Sequence, residues 1–264
     1  MSSETHALAK VNPMQAIIAA ADSFGDDIIA KPSFLELVQP MSGSAQEGGA
    51  VVGQFRDKDS GMQWDVMNIV VLQQSKGRTY WQADANLGDD PICKSRDGKF
   101  PIFDNPKLVA QSKDCKSCEH ASWANYDAKT KKGIPQCKEQ RRILLIERDL
   151  GLVFIYTAKK MALKPINTFL ETLWKFHKIS EAQQKMGRGN VVPIYGFVAE
   201  MKSEKKVGPK GTYYVPKFGV PKVISDITEF GPVYTKYVLR NNIIEQADEA
   251  VAQVVEGEYQ TQEA

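Results

Sequence analysis

Alternating apolar and polar positions run through three stretches of this chain, and a helical period separates the second from the third. The stretch "AVVGQFRDKDSGMQWDVMNIVVLQQSKGRTYWQ" predicts strands near 50–56, 64–73 and 78–82, with Asp59-Ser60-Gly61 and Ser75-Lys76-Gly77 as hairpin turns. "RRILLIERDLGLVFIYTAK" predicts two further strands about a turn at Asp149-Leu150-Gly151. "VVPIYGFVAEMKSEKKVGPKGTYYVPKFGV" reads as a strand, a basic Gly/Pro turn at 202–210, and a second strand over "TYYVPKF". Before it, "LKPINTFLETLWKFHKISEAQQKM" places Ile166, Phe169, Leu170, Leu173 and Trp174 on one helical face, with Pro165 suited to the helix start. Two more helices are predicted. One lies in "NPMQAIIAAADSF", capped by Asn12 with Pro13 at the first helical position, and one lies in "TEFGPVYTKYVLRNNIIEQADEAV".

The order strands, irregular insert, strands, helix, hairpin, helix lacks the strand–helix alternation of a doubly wound fold. It predicts a mixed α+β protein dominated by a small twisted β-barrel, with an inserted loop subdomain and flanking helices. Three regions follow. Residues 1–48 form an N-terminal helical arm ending in the Gly/Ser-rich link "QPMSGSAQEGGA", residues 49–240 form the core with the insert at 88–140, and residues 241–264 form a tail.

Charge adds a polarity to this plan. The 264 residues carry a formal +2, but Glu245, Asp248, Glu249, Glu256, Glu258 and Glu263 give the last segment −6 without any Lys or Arg, leaving the body at +8. A basic body with an acidic end suits a polyanion binder whose tail competes for the groove or recruits a partner. No apolar run is long enough for a membrane span, and "MSSETHALAK" has no signal-peptide pattern, so a cytoplasmic protein is expected, in host cytoplasm if it is phage-encoded.

The insert holds all four cysteines, Cys93, Cys115, Cys118 and Cys137, spaced C-x21-C-x2-C-x18-C. A C-x2-C knuckle lets two thiolates reach one ion, and one further cysteine on each side completes a tetrahedral zinc set. Four thiolates leave no open coordination position, so the expected zinc is structural; His120, two residues past Cys118, is an alternative ligand. A redox C-x-x-C would open a helix after a strand, whereas "DCKSCEH" follows a polar loop. A loop of this length inside a compact domain needs such an organiser.

Single-stranded nucleic-acid binders combine a positive groove with aromatic platforms. Here cations and aromatics interleave at Arg78, Tyr80 and Trp81, at Phe100 and Phe103, and at Trp123 and Tyr126 beside Lys131 and Lys132. The pattern recurs at Phe154 and Tyr156 before Lys159 and Lys160, and at Lys205, Lys206, Lys210, Tyr213, Tyr214 and Lys217. Any one strand aromatic is more often core than surface. No P-loop, paired-carboxylate or HExxH pattern occurs, so no enzyme activity is expected.

"PICKSRDGKFP…CKSC…W…PQC", the basic-aromatic strands and the acidic C-terminus together resemble phage-type single-stranded DNA-binding (helix-destabilising) proteins. The resemblance covers organisation over about 50–240. It implies an OB-fold core, a structural zinc in the insert, and a tail that contacts replication or recombination proteins. It also allows a homo-oligomer. The best-known zinc-bearing member uses three cysteines and one histidine, whereas this chain offers four cysteines. The expected function is therefore sequence-tolerant binding of single-stranded DNA in replication or recombination. The alternative is a zinc-stabilised structural or protein-interaction module of a phage or virus assembly or a transcription complex.

Overall fold

A computed structural model describes residues 31–81, 91–103, 105–124, 127, 129, 133–209, 211–225, 230–240 and 244. The predicted N-terminal helix and the acidic tail lie outside these residues. Ten strands make one sheet: β1 (Ser33–Leu37), β2 (Phe55–Asp57), β3 (Gln63–Trp64), β4 (Val66–Tyr80), β5 (Cys93–Ser95), β6 (Lys138–Glu147), β7 (Leu152–Lys159), β8 (Phe197–Gly208), β9 (Gly211–Phe218) and β10 (Lys222–Val223). The helices are α1 (Gly43–Gln46), α2 (Leu163–Lys185) and α3 (Gly231–Tyr234), the last running into a π-helical segment, Thr235–Arg240. The fold is mixed α+β and dominated by a strongly curled half-barrel sheet with few helices. No described helix is long and apolar enough to cross a membrane.

The sheet order is β10-β8-β4-β6-β7-β1-β2-β3, with β5 added to β4 and β9 to β8. β4 is its spine. It pairs with β6 from Ile69 to Thr79 along one edge, and on the other edge with β8 near Val66–Val70 and with β5 at Arg78–Tyr80. Two apolar cores cover the two faces. Phe55 of β2, Ile69 of β4, Ile143 of β6, Phe154 of β7 and Met201 of β8 share one cluster with Ile166, Phe169 and Leu173 of α2. Side chains from strands so far apart in the order meet only on the concave side of a curled sheet, so α2 plugs the half-barrel. On the convex face Val70, Leu72, Leu144, Ile146 and Ile155 are roofed by Ile224, Phe230, Val233, Tyr237 and Ile244.

Several elements differ from the sequence expectations. β1 belongs to the sheet, pairing in parallel with β7 through Leu35↔Tyr156, although the pattern assigned it to the arm. Ser75-Lys76-Gly77 is not a turn, because β4 passes straight through it. The basic stretch 202–210 is mostly strand, and the hairpin reverses only between Gly208 and Gly211. Trp174 leaves the apolar face of α2. It is 53% exposed, with the Lys178 ammonium 4.7 Å from its ring centre. Of the closing helix, the described residues show α3, its π-helical continuation and the helical Ile244; the rest lies outside the described residues. The turns at Asp59-Ser60-Gly61 and Asp149-Leu150-Gly151 form as expected.

Candidate nucleic-acid interface and thiol cluster

A bulge in β4 aims the site. The β4–β6 register shifts between Val71 and Gln73, so one extra residue is accommodated and the facing parity flips. Before the bulge Met67, Ile69 and Val71 face the concave core; after it Gln74, Lys76, Arg78 and Tyr80 take that face, opposite Ile143, Arg141 and Glu139. The concave wall thus continues into a polar, mostly basic band. The Arg141 guanidinium donates to Gln74 Oε1, and the Lys76 ammonium lies 3.5 Å from Glu139. Lys76 and Arg141 were not among the sequence candidates, because their placement depends on the bulge and not on any local motif.

The insert closes over the end of this band. β5 pairs Tyr80↔Cys93 and Arg78↔Ser95, which sets Cys93 beside Tyr80. Arg78 Nη1 donates to the carbonyl of Ala121 at 3.4 Å, tying strand to insert. Asp114 Oδ1 accepts from the Ser117 N–H at 2.7 Å and folds the Cys115–Cys118 knuckle. The Cys137 N–H donates to His120 O at 2.8 Å, bringing the fourth cysteine alongside. All four cysteines line one small cavity with Tyr80, Pro101, Asp114, His120 and Ala121. Among the described residues, no group of three or more His, Cys, Asp and Glu side chains is spaced to hold a metal ion as it stands.

Burial pushes the Cys137 thiol up to about 11, against the nearby Arg78 charge, and the other three cysteines push it further in the same direction. Burial likewise raises Cys115, opposed by a hydrogen bond from Ser95 and by Arg78. Four gathered, partly buried thiols with a cation at hand are the donor chemistry of a thiolate metal site. His120 is engaged elsewhere: its ring stacks on Tyr80 at 4.3 Å, Nδ1 is 2.9 Å from Gln136 Oε1, and Nε2 is 3.7 Å from Glu119. These partners favour the four-cysteine set over one that includes His120.

The remaining candidates separate into packed and presented groups. Tyr80 is committed to the stack with His120. Tyr214 lies against Gly53, where an added Cβ would come within 2.6 Å of its ring, and Tyr213 lies over Gly208. Trp81 is half-buried. Trp123 is 60% exposed on the insert, and Phe100 and Phe103 are also exposed there, Phe103 at 68%. Lys159 and Lys160 are exposed at the end of β7, and Lys160 holds a positive φ of 49°. On the β8–β9 hairpin, Lys206 and Lys217 flank Glu204 at 2.8 and 3.5 Å, while Lys205 stands on the opposite face across from Tyr214. Tyr126, Lys131, Lys132 and Lys210 lie outside the described residues. Compared with known proteins, the chain matches no family model, no curated protein and no solved structure.

Proposed function

We propose that this protein binds single-stranded DNA in replication or recombination with little sequence preference and without chemistry of its own. One observation carries the reading. β4, β6 and β7 form a meander, α2 follows, and the β8–β9 hairpin returns so that β4 pairs with both β6 and β8. A bent first strand shared by the second and fourth, with a helix after the third, resembles the strand plan of an OB barrel, and that likeness supports the reading. The cysteine insert then occupies the first–second strand connection, and the basic hairpin occupies the fourth–fifth. In OB barrels these two loops, with the face of the second and third strands, take up oligonucleotides. In this chain β1 adds a strand beside β7.

The convex roof sharpens the path. Phe230, Val233, Tyr237 and Ile244 cover the Leu144, Ile146 and Ile155 part of the β6–β7 face. The part left for nucleic acid is the insert end, with Lys138, Lys159 and the exposed Trp123. Zinc held by Cys93, Cys115, Cys118 and Cys137 fixes the shape of the insert. The Arg142 guanidinium donates to the Ile244 carbonyl at 3.2 Å. The acidic sequence that follows in the chain is the segment that would recruit replication or recombination partners.

Fluorescence anisotropy with labelled oligo-dT across a salt series tests the proposal. Binding at low salt is expected, with log K falling against log salt at about −0.7 per phosphate neutralised. No binding at low salt would overturn it.

A further inference from the structure

The half-barrel closes on itself through a side chain. β9 lies beyond β8 on one side of the ring of strands, and β1, with β2 and β3 after it, lies beyond β7 on the other. Between them the Tyr214 N–H donates to Gln39 Oε1 at 2.9 Å, and Gln39 Nε2 donates to the Tyr214 carbonyl at 3.1 Å. One side-chain amide thus takes the place of a neighbouring peptide group. A full ladder is blocked: Tyr214 turns its N–H and C=O away from β8, so Pro216, two residues on, turns its donorless nitrogen to the same edge.

Gln39 is itself anchored. Its carbonyl accepts from the Ser42 N–H at 3.0 Å and from Ser42 Oγ at 2.9 Å, and Nε2 also reaches the Leu37 carbonyl at 3.2 Å. Gly53, at φ 90°, gives the Tyr214 ring its seat.

Past the buried Val215 and Pro216 at its base, the hairpin pairs with no third strand among the described residues. β8 pairs with β4 only up to Val66↔Lys202, whereas β8 and β9 continue together from Ser203↔Pro216 to Gly208↔Gly211. That stretch is a two-stranded ribbon, a form marginally stable in water without a third strand. Its two faces differ in how their lysines are paired. Lys206 and Lys217 share the Glu204 carboxylate on one face, and Lys205 lies on the other, the face that continues from Met201 and Phe218 of the concave core.

We propose that the β8–β9 ribbon is an arm, latched to the half-barrel by the Gln39 amide and by the Tyr214 ring in its Gly53 seat, that folds its Lys205 face onto single-stranded nucleic acid. The contact with nucleic acid rests on the function proposed above; the latch does not.

Hydrogen exchange of the full-length protein, free and with oligo-dT, tests both parts. In the free protein, Gln39→Ala and Gly53→Ala remove separately the two contacts that the half-barrel makes with Tyr214. Each is expected to speed exchange across 203–208 and 211–215 by roughly tenfold or more, with the β6–β7 ladder unchanged. Unchanged ribbon exchange in both variants, or equal acceleration throughout the sheet, would overturn the latch. Saturating oligo-dT is expected to slow ribbon exchange in the wild-type protein. Lys205→Ala is expected to lower the salt slope by about 0.7, and Lys206→Ala by less. Binding without ribbon protection, or the reverse order of the two lysines, would overturn the arm. If the wild-type protein binds no oligo-dT, the arm and the proposed function fail together, and exchange in the free protein still decides the latch.

Discussion

The half-barrel and the cysteine insert are ordered by different forces. In the half-barrel, long ladders carry two apolar cores, and Phe154, Ile143, Leu144 and Ile155 are fully or almost fully buried. In the insert, the regular structure among the described residues is the three-residue β5 and one turn of 3-10 helix at Glu119–Ala121. Its apolar cluster is Cys118, Ala121 and Cys137 with Tyr80 packed against them. Polar turns make up part of the difference. Asp97 Oδ1 accepts from the Lys99 N–H at 2.7 Å, the Phe100 N–H at 2.9 Å and Ser95 Oγ at 3.1 Å. Long ladders and buried apolar area sustain the barrel, whereas the insert rests on side-chain turns and on whatever draws its four thiols together, which in the proposed function is zinc.

The largest expected effect separates the two regions. Structural zinc contributes on the order of 10 kcal/mol to the folding of small thiolate sites. With zinc on the four cysteines as proposed, chelation, or Cys137→Ser, should therefore unravel the insert while β6, β7 and α2 stay folded. Zinc analysis with limited proteolysis reads this out, and loss of the whole fold together with the insert would erase the distinction between the regions. Next in size, Phe154→Ala should cost about 3–5 kcal/mol of global stability, because its ring fills the concave core edge-on to Trp64. Denaturant unfolding measures it, and zinc content should be unchanged.

Trp123→Ala is expected to leave both regions folded and to weaken oligo-dT binding by about 1–3 kcal/mol, which anisotropy resolves. Equal affinity would remove Trp123 from the interface.

The smallest effect is a pH dependence. Burial pushes the Asp97 carboxyl up, but the Phe100 and Lys99 N–H groups and the Ser95 hydroxyl outweigh it and hold the group below the usual carboxylate range. A lowered folded pKa gives stability that is present above the unfolded value near 3.9 and is lost as pH falls through the folded one. Trp123 fluorescence should report loosening of the insert below about pH 4, and Asp97→Asn should flatten that dependence.

How much of this is legible in the sequence varies with locality. β6, β7, β8, β9 and α2 follow from the period of their apolar residues, because each buries a regular face. Ser75-Lys76-Gly77 has turn chemistry yet lies within β4. There Gly77 answers a packing need, since a Cβ would meet the Ser95 carbonyl at 3.1 Å and Gln140 at 3.2 Å. The bulge at Val71/Gln73 decides that Tyr80 lines the cysteine cavity and that Arg78 reaches the Ala121 carbonyl, and no local pattern announces it. The cysteine grouping was readable from spacing alone. The roles of Tyr80 and Tyr214 were not, because stacking on His120 and seating on Gly53 depend on residues 40 and 161 positions away.

The parallel pairing of β1 with β7 has a consequence for how the chain is made. Leu35 leaves the ribosome long before its partner Tyr156. At about 5–20 residues per second, the intervening chain takes on the order of ten seconds to synthesise. Throughout that interval Leu35 and Leu37 can pair with Asp57 and Phe55 of β2, but the edge of β1 that β7 will take stays open. The β1–β2 pair thus forms early and docks late, and nascent-chain holding factors would find an open strand edge in "SFLELV".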